Sequence, residues 1–89
     1  MPRVIFTSNL QRHVNCPETE VAAGTLGAAL QAVFAGQPQL RGYVLDEQGE
    51  LRKHIFVFVD GQRLKDRLRL DVPVSERSEI HVMQALTGG

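Results

Sequence analysis

The chain has 89 residues, enough for one domain with a single core, and its 43% hydrophobic and 22% charged composition is that of a soluble globular protein. Ten basic residues offset ten acidic ones, which argues against the broad positive field that nucleic-acid binding draws on. No stretch approaches the roughly 20 apolar residues of a membrane span, MPRVIFTSNL lacks the layout of a signal peptide, and the lone Cys16 cannot form an intramolecular disulfide, so a cytoplasmic protein without membrane association is expected.

In chain order, the β-branched and aromatic run Arg3–Phe6 predicts a first strand, and ETEVA (residues 18–22) alternates with the period of a second, half-buried one. The polar SNLQRHVNCP between them suits a hairpin-like connection. Leu26, Ala29, Leu30, Val33 and Phe34 then share one helical face, with Thr25 or Gly24 as N-cap and Gly36 followed by Pro38 as the stop. This is the one helix expected. YVLDEQGELRKHIFVFVDGQRL should run strand, turn, strand, turn, strand, the second turn being Asp60-Gly61, whose residues tolerate the positive φ of a type I′ turn. In HIFVFV, Ile55, Val57 and Val59 point one way and Phe56 and Phe58 the other. In the last strand, IHVMQAL, Ile80, Val82 and Gln84 alternate with His81, Met83 and Ala85. RLKDRLR, with Arg63, Lys65, Arg67 and Arg69 around Asp66, reads as a solvated loop or charge-blunted edge strand; a docking patch for an acidic partner is the alternative.

The order β-β-α-β-β-β requires the helix to cover one face of a mixed sheet, an α+β roll. Val4, Phe6, Val21, Ile55, Val57, Val59, Ile80 and Val82 would face the helix, leaving Phe56, Phe58 and Met83 toward water. There is no Gly-rich phosphate loop, C-x-x-C or H-E-x-x-H. His13, His54 and His81 fall on separate elements, and His13 and Cys16 stand three apart with no second pair to complete a metal site. No metal and no catalytic side chain are therefore expected, and Cys16 reads as inert.

The chemistry left is at the end of the chain, IHVMQALTGG. Gly88 and Gly89 lack Cβ atoms and can enter a channel too narrow for side chains. Joined to AMP, the Gly89 carboxylate becomes an acyl donor; a sulfur nucleophile would give a thiocarboxylate and a lysine nitrogen an isopeptide bond. The alternative is an incidental, frayed terminus.

These residues resemble the β-grasp, ubiquitin-like sulfur carriers of cofactor, thiamine and cysteine biosynthesis. GTLGAAL (residues 24–30) is similar to that family's helix start, LRKHIFVFVDGQ (residues 51–62) to its central strand and turn, and IHVMQALTGG (residues 80–89) to its last strand and tail. SERSE (residues 75–79) stands where many relatives carry Gly-Asp-Glu, and Gln84 where a proline often begins the tail.

The resemblance implies a β-grasp roll over residues 1–83, with a mixed four- to five-stranded sheet and one main helix, and a flexible tail over residues 84–89. It implies a carrier, not an enzyme, with no cofactor bound. An E1-like adenylating enzyme would use ATP to activate Gly89, a persulfide donor would supply sulfur, and an acceptor synthase would take it. Gly88 and Gly89 would carry the chemistry and Gln84, Ala85, Leu86 and Thr87 would form the leash. Phe56, Phe58, His81 and Met83 are the expected partner surface, because an exposed apolar patch on a small domain often marks an interaction site. Two alternatives are a ubiquitin-like covalent modifier conjugated through Gly89 and a non-covalent β-grasp interaction module.

Overall fold

Apolar alternation builds the centre of the sheet. The computed structural model describes residues 1–7, 18–66 and 69–84, with strands β1 (Arg3–Phe6), β2 (Thr19–Glu20), β3 (Ile55–Val59), β4 (Gln62–Arg63) and β5 (Glu79–Gln84). Helices α1 (Leu26–Gly36) and α2 (Pro38–Val44) lie between β2 and β3 in sequence. The five strands form one mixed sheet in the order β2-β1-β5-β3-β4, in which β1 and β5 are parallel and the other neighbours antiparallel.

Val4 and Phe6 of β1, Ile80 and Val82 of β5, and Ile55 and Val57 of β3 are each at most 2% exposed. Their partners in sequence, Ile5, His81, Met83, Phe56 and Phe58, are only half-buried. Strand period two puts the first set on one face and the second on the other. The expected core-facing residues lie there, with Val59 packed at its margin rather than fully buried.

Helix α1 closes that core with Leu26, Ala29, Leu30, Val33 and Phe34, the stripe expected from their spacing. Each of the larger four contributes on the order of 1.5–3 kcal/mol on burial, the Ala29 methyl less. Thr25 is the N-cap: its hydroxyl accepts from the Ala28 N–H at 3.1 Å. Two further first-turn amides are used by the returning chain, Leu26 N–H donating to the Val72 carbonyl at 2.8 Å and Gly27 N–H to that of Leu70 at 2.7 Å. A Cβ at position 27 would stand 3.0 Å from the same Leu70 oxygen, so glycine lets the two segments approach this closely.

The segment after α1 differs from expectation. Pro38 does not merely follow a stopped helix; it opens α2, and Tyr43 and Val44, expected in a strand, are the last residues of that helix. Gln37 (φ −137°, ψ 73°) breaks the backbone direction, and proline, whose φ is already helical, suits the first turn of the next helix. Leu40 and Val44, four apart and both fully buried, hold α2 on the core. Only Leu45 and Leu51 pair across the following turn, where the Asp46 carboxylate accepts from the Gln48 and Glu50 amides at 2.9 and 3.0 Å. The second strand is also shorter than ETEVA suggests, and β5 runs through Gln84, which pairs with Ile55, so that residue belongs to the sheet rather than to the leash.

The Asp60-Gly61 turn is as expected, with φ of 52° and 83° and Val59 opposite Gln62. Asp60 also joins the turn to the start of β5. Its carboxylate accepts from the Glu79 amide at 2.9 Å and from the Ser78 hydroxyl at 3.0 Å, while its own N–H donates to the Glu79 carbonyl at 2.9 Å. Ser78 is buried, and its hydroxyl in turn accepts from the Ser75 amide at 2.8 Å. SERSE is thus a turn closed by its own serines. Asp60→Ala is expected to lower unfolding free energy by about 1–2 kcal/mol, and Asp60→Asn by less, because asparagine keeps an acceptor and tolerates positive φ; urea denaturation of the two variants measures the difference.

Candidate functional site

The sheet face turned away from the helices is assembled by cross-strand register. In β1 and β5, Arg3 stands beside Glu79 and Ile5 beside His81; in β5 and β3, His81 stands beside Phe58 and Met83 beside Phe56; in β3 and β4, Phe58 stands beside Arg63. One row therefore crosses four strands as Ile5, His81, Phe58 and Arg63. A second row pairs Met83 with Phe56.

All four residues expected to form the partner surface, Phe56, Phe58, His81 and Met83, lie together on this face, each half-buried. Phe56, Phe58 and Met83 border a hollow of about 200 Å³ whose fourth wall is Arg63. The Arg63 guanidinium carbon lies 4.5 Å from the centroid of the Phe56 ring, within cation–π range. The sequence names Arg63 only as one member of the basic run RLKDRLR, read as a solvated loop or charge-blunted edge with an acidic-partner patch as the alternative, and does not place it beside the rings. A signal for it exists nonetheless: a two-residue Asp-Gly turn fixes the hairpin register, and that register puts position 63 opposite Phe58.

The far end of the face is polar and ion-paired. Arg3 pairs with Glu79 and, at 3.0 Å, with Glu18. The Glu79 hydrogen bond first, and then the charges of Glu18, Glu79 and Glu20, hold the Arg3 guanidinium above its already high ordinary pKa. Of the basic run, Arg63 forms the edge strand, blunting it with charge, and Arg69 forks onto Asp71 with contacts of 3.4 and 3.2 Å. That hydrogen bond and the Arg69 charge keep the Asp71 carboxyl below its usual pKa. Both groups are solvated, so the pair adds little stability. Arg67 lies outside the described residues.

Gly88, Gly89 and the tail residues Ala85, Leu86 and Thr87 also lie outside them, as do His13 and Cys16. What the structure supplies is their root. Gln84 ends β5, a strand flanked by β1 and β3, and the Met83–Phe56 row immediately precedes it. No group of three or more His, Cys, Asp or Glu side chains among the described residues is placed to hold a metal ion, and no helix among them is long and apolar enough to cross a membrane.

The strand order, the parallel central pair and the helix packed on one face are those of the β-grasp, ubiquitin-like roll. No family model matches the chain, and no curated protein matches it significantly. Solved structures do share its fold. SAMP1, the small archaeal modifier protein 1 of Haloferax volcanii, superposes with a TM-score of 0.79 at 23% identity, over 99% of this chain and 98% of that one. A chain of the Amycolatopsis orientalis BexX/CysO complex gives a TM-score of 0.83 at 18% identity, over 100% of both chains. Mycobacterium tuberculosis CysO, described as an antigen, gives 0.80 at 16% identity, over 97% of this chain and 100% of that one. At these identities what is shared is the fold.

The two faces predict opposite tolerances. Val57→Asp places an unpaired carboxylate in the core and should abolish the dispersed amide spectrum of the folded protein, whereas Phe58→Asp, one residue on, should retain it; two-dimensional NMR of both variants is the check.

Proposed function

We propose that this chain is a sulfur carrier whose C-terminal Gly89 carboxylate is activated by an adenylating enzyme and converted to a thiocarboxylate. The observation that carries the reading is the Gly88-Gly89 pair, four and five residues beyond the last described residue of a central strand in a β-grasp fold. Support comes from the likeness in fold to CysO and to a small archaeal modifier.

The chemistry follows from the carboxylate being a poor electrophile. Attack by its oxygen on the α-phosphate of ATP, on the partner enzyme, expels pyrophosphate and leaves an acyl-adenylate. The terminal sulfur of a persulfide then attacks the acyl carbon, AMP leaves, and a thiol cleaves the resulting S–S bond to release the thiocarboxylate. This sulfur, now nucleophilic, passes to an acceptor enzyme and its metabolite. The carrier contributes no catalytic side chain and binds no cofactor. Its contribution is placement: a short glycine-ended leash, rooted in the sheet, reaches an active site that side chains could not enter. Phe56, Phe58, His81 and Met83 form the surface that docks on the partner, beside that root.

A covalent modifier is the second reading, favoured by the likeness to a protein named as a modifier. In it, a lysine nitrogen replaces sulfur at the same acyl carbon. Mass spectrometry of material from the native cell separates the two: in the intact protein, exchange of one oxygen for sulfur at Gly89 marks the carrier, and after trypsin a Ser78–Gly89 branch on lysines of other proteins marks the modifier, Arg77 being the last tryptic site. One alanine appended after Gly89 should abolish adenylation, measured as ATP–pyrophosphate exchange with the activating enzyme, while leaving the thermal unfolding midpoint unchanged. A non-covalent module would be indifferent to that addition and to deletion of Gly88 and Gly89.

A further inference from the structure

We propose that the hollow between Phe56, Phe58, Met83 and Arg63 receives an acidic segment of the activating enzyme, an apolar side chain lying on the rings and a neighbouring carboxylate on the Arg63 guanidinium. The inference rests on the carrier reading and adds the chemistry of the partner surface.

Charge distribution on the face selects an acidic partner. At one end, Arg3 is taken up by Glu79 and Glu18. At the turn, the Asp60 carboxylate is occupied by Ser78 and the Glu79 amide, and beyond it Arg69 holds Asp71. Arg63 has no ion pair among the described residues; its one contact of note is the Phe56 ring 4.5 Å away. A ring face cannot accept the five N–H donors of a guanidinium, whereas a carboxylate accepts two of them in parallel. Lys65, exposed two residues further on, adds a second positive charge at the same edge. Asp66 follows Lys65 in the same run, so the cation left without an ion pair among the described residues at the rim of the apolar face is Arg63.

Size and position fit the same partner. A hollow of about 200 Å³ has room for a side chain, not for a helix or a cofactor. Met83, one of its walls, precedes Gln84, and the five residues from there to Gly89 span at most about 17 Å when extended. An enzyme that holds Gly89 in its active site must therefore meet this part of the face. Drying the rings strengthens the charge-assisted contact at their edge, because the surrounding dielectric falls.

The test is ATP–pyrophosphate exchange by the adenylating enzyme of the same organism, with the full chain as substrate. Arg63→Glu should raise the KM for the carrier about tenfold or more, with a far smaller change in kcat, and Arg63→Lys should lie between it and the parent because it keeps the charge but not the fork. KM for the parent should rise with NaCl, and that dependence should flatten in Arg63→Gln. Arg77→Glu, in the turn before β5, controls for net charge and should keep the parental KM. Thermal melts verify that each variant is folded. If the parent is adenylated at Gly89 and Arg63→Glu keeps its KM and salt dependence, the docking inference falls and the carrier reading stands. If Arg63→Glu instead dissolves a dimer in sedimentation velocity without moving KM, the face belongs to a second copy of the chain and the inference is likewise overturned. If the parent is not adenylated at all, the carrier reading falls and takes this inference with it.

Discussion

The pairing of β5 on both sides, parallel to β1 and antiparallel to β3, is the interaction on which the rest of the molecule depends. It brings Val4, Phe6, Ile80, Val82, Ile55 and Val57 into one apolar field. The helices can cover only one side of that field. With 89 residues there is no second layer among the described elements for the other side, so the alternation that makes the core also leaves an aromatic and methionine surface half-exposed.

The perimeter is organised to keep β5 in place. Asp60 ties the β3–β4 turn to the start of β5, the Ser75–Ser78 turn delivers the chain into it, and the segment carrying Leu70 and Val72 caps the first turn of α1 through Gly27 and Leu26. A strand held along its whole length gives a fixed origin to whatever follows Gln84. For a group that reacts in another protein's active site, a fixed origin and a short leash cut the conformational freedom lost on docking. In the proposed carrier, stability at the amino end of β5 and reactivity beyond its carboxyl end are two outcomes of one strand.

Much of this was readable from residue pattern. The α1 stripe, the Asp60-Gly61 turn and the two faces of β3 and β5 rest on local periodicity and on backbone preferences that neighbours do not override. The reading of residues 38–44 failed because proline carries two meanings. It stops a helix from within and starts one at the first turn, and only the burial of Leu40 and Val44 against the core chooses between them. Tyr43 is aromatic and Val44 β-branched, which suggests a strand, but that propensity yields to packing; Leu45, the next residue, is extended and bridges Leu51. The short β2 and the start of β5 at Glu79 rather than Ile80 are boundary effects: a strand ends where its partner ends, and the partner is distant in sequence.

Residue type and period therefore account for the roll, its buried face and the glycine pair that suggests acyl chemistry, because each is a property of a short window of chain. The composition of the open face is different in kind. Ile5, Phe58, Arg63 and His81 become neighbours only through pairings that join residues up to 76 positions apart, and Arg63 comes to lie over Phe56 only once that register is set. Long-range strand pairing is a choice among alternatives of similar local energy, settled by which one buries the most apolar surface. That choice set one member of a basic run, Arg63, at the rim of an aromatic hollow.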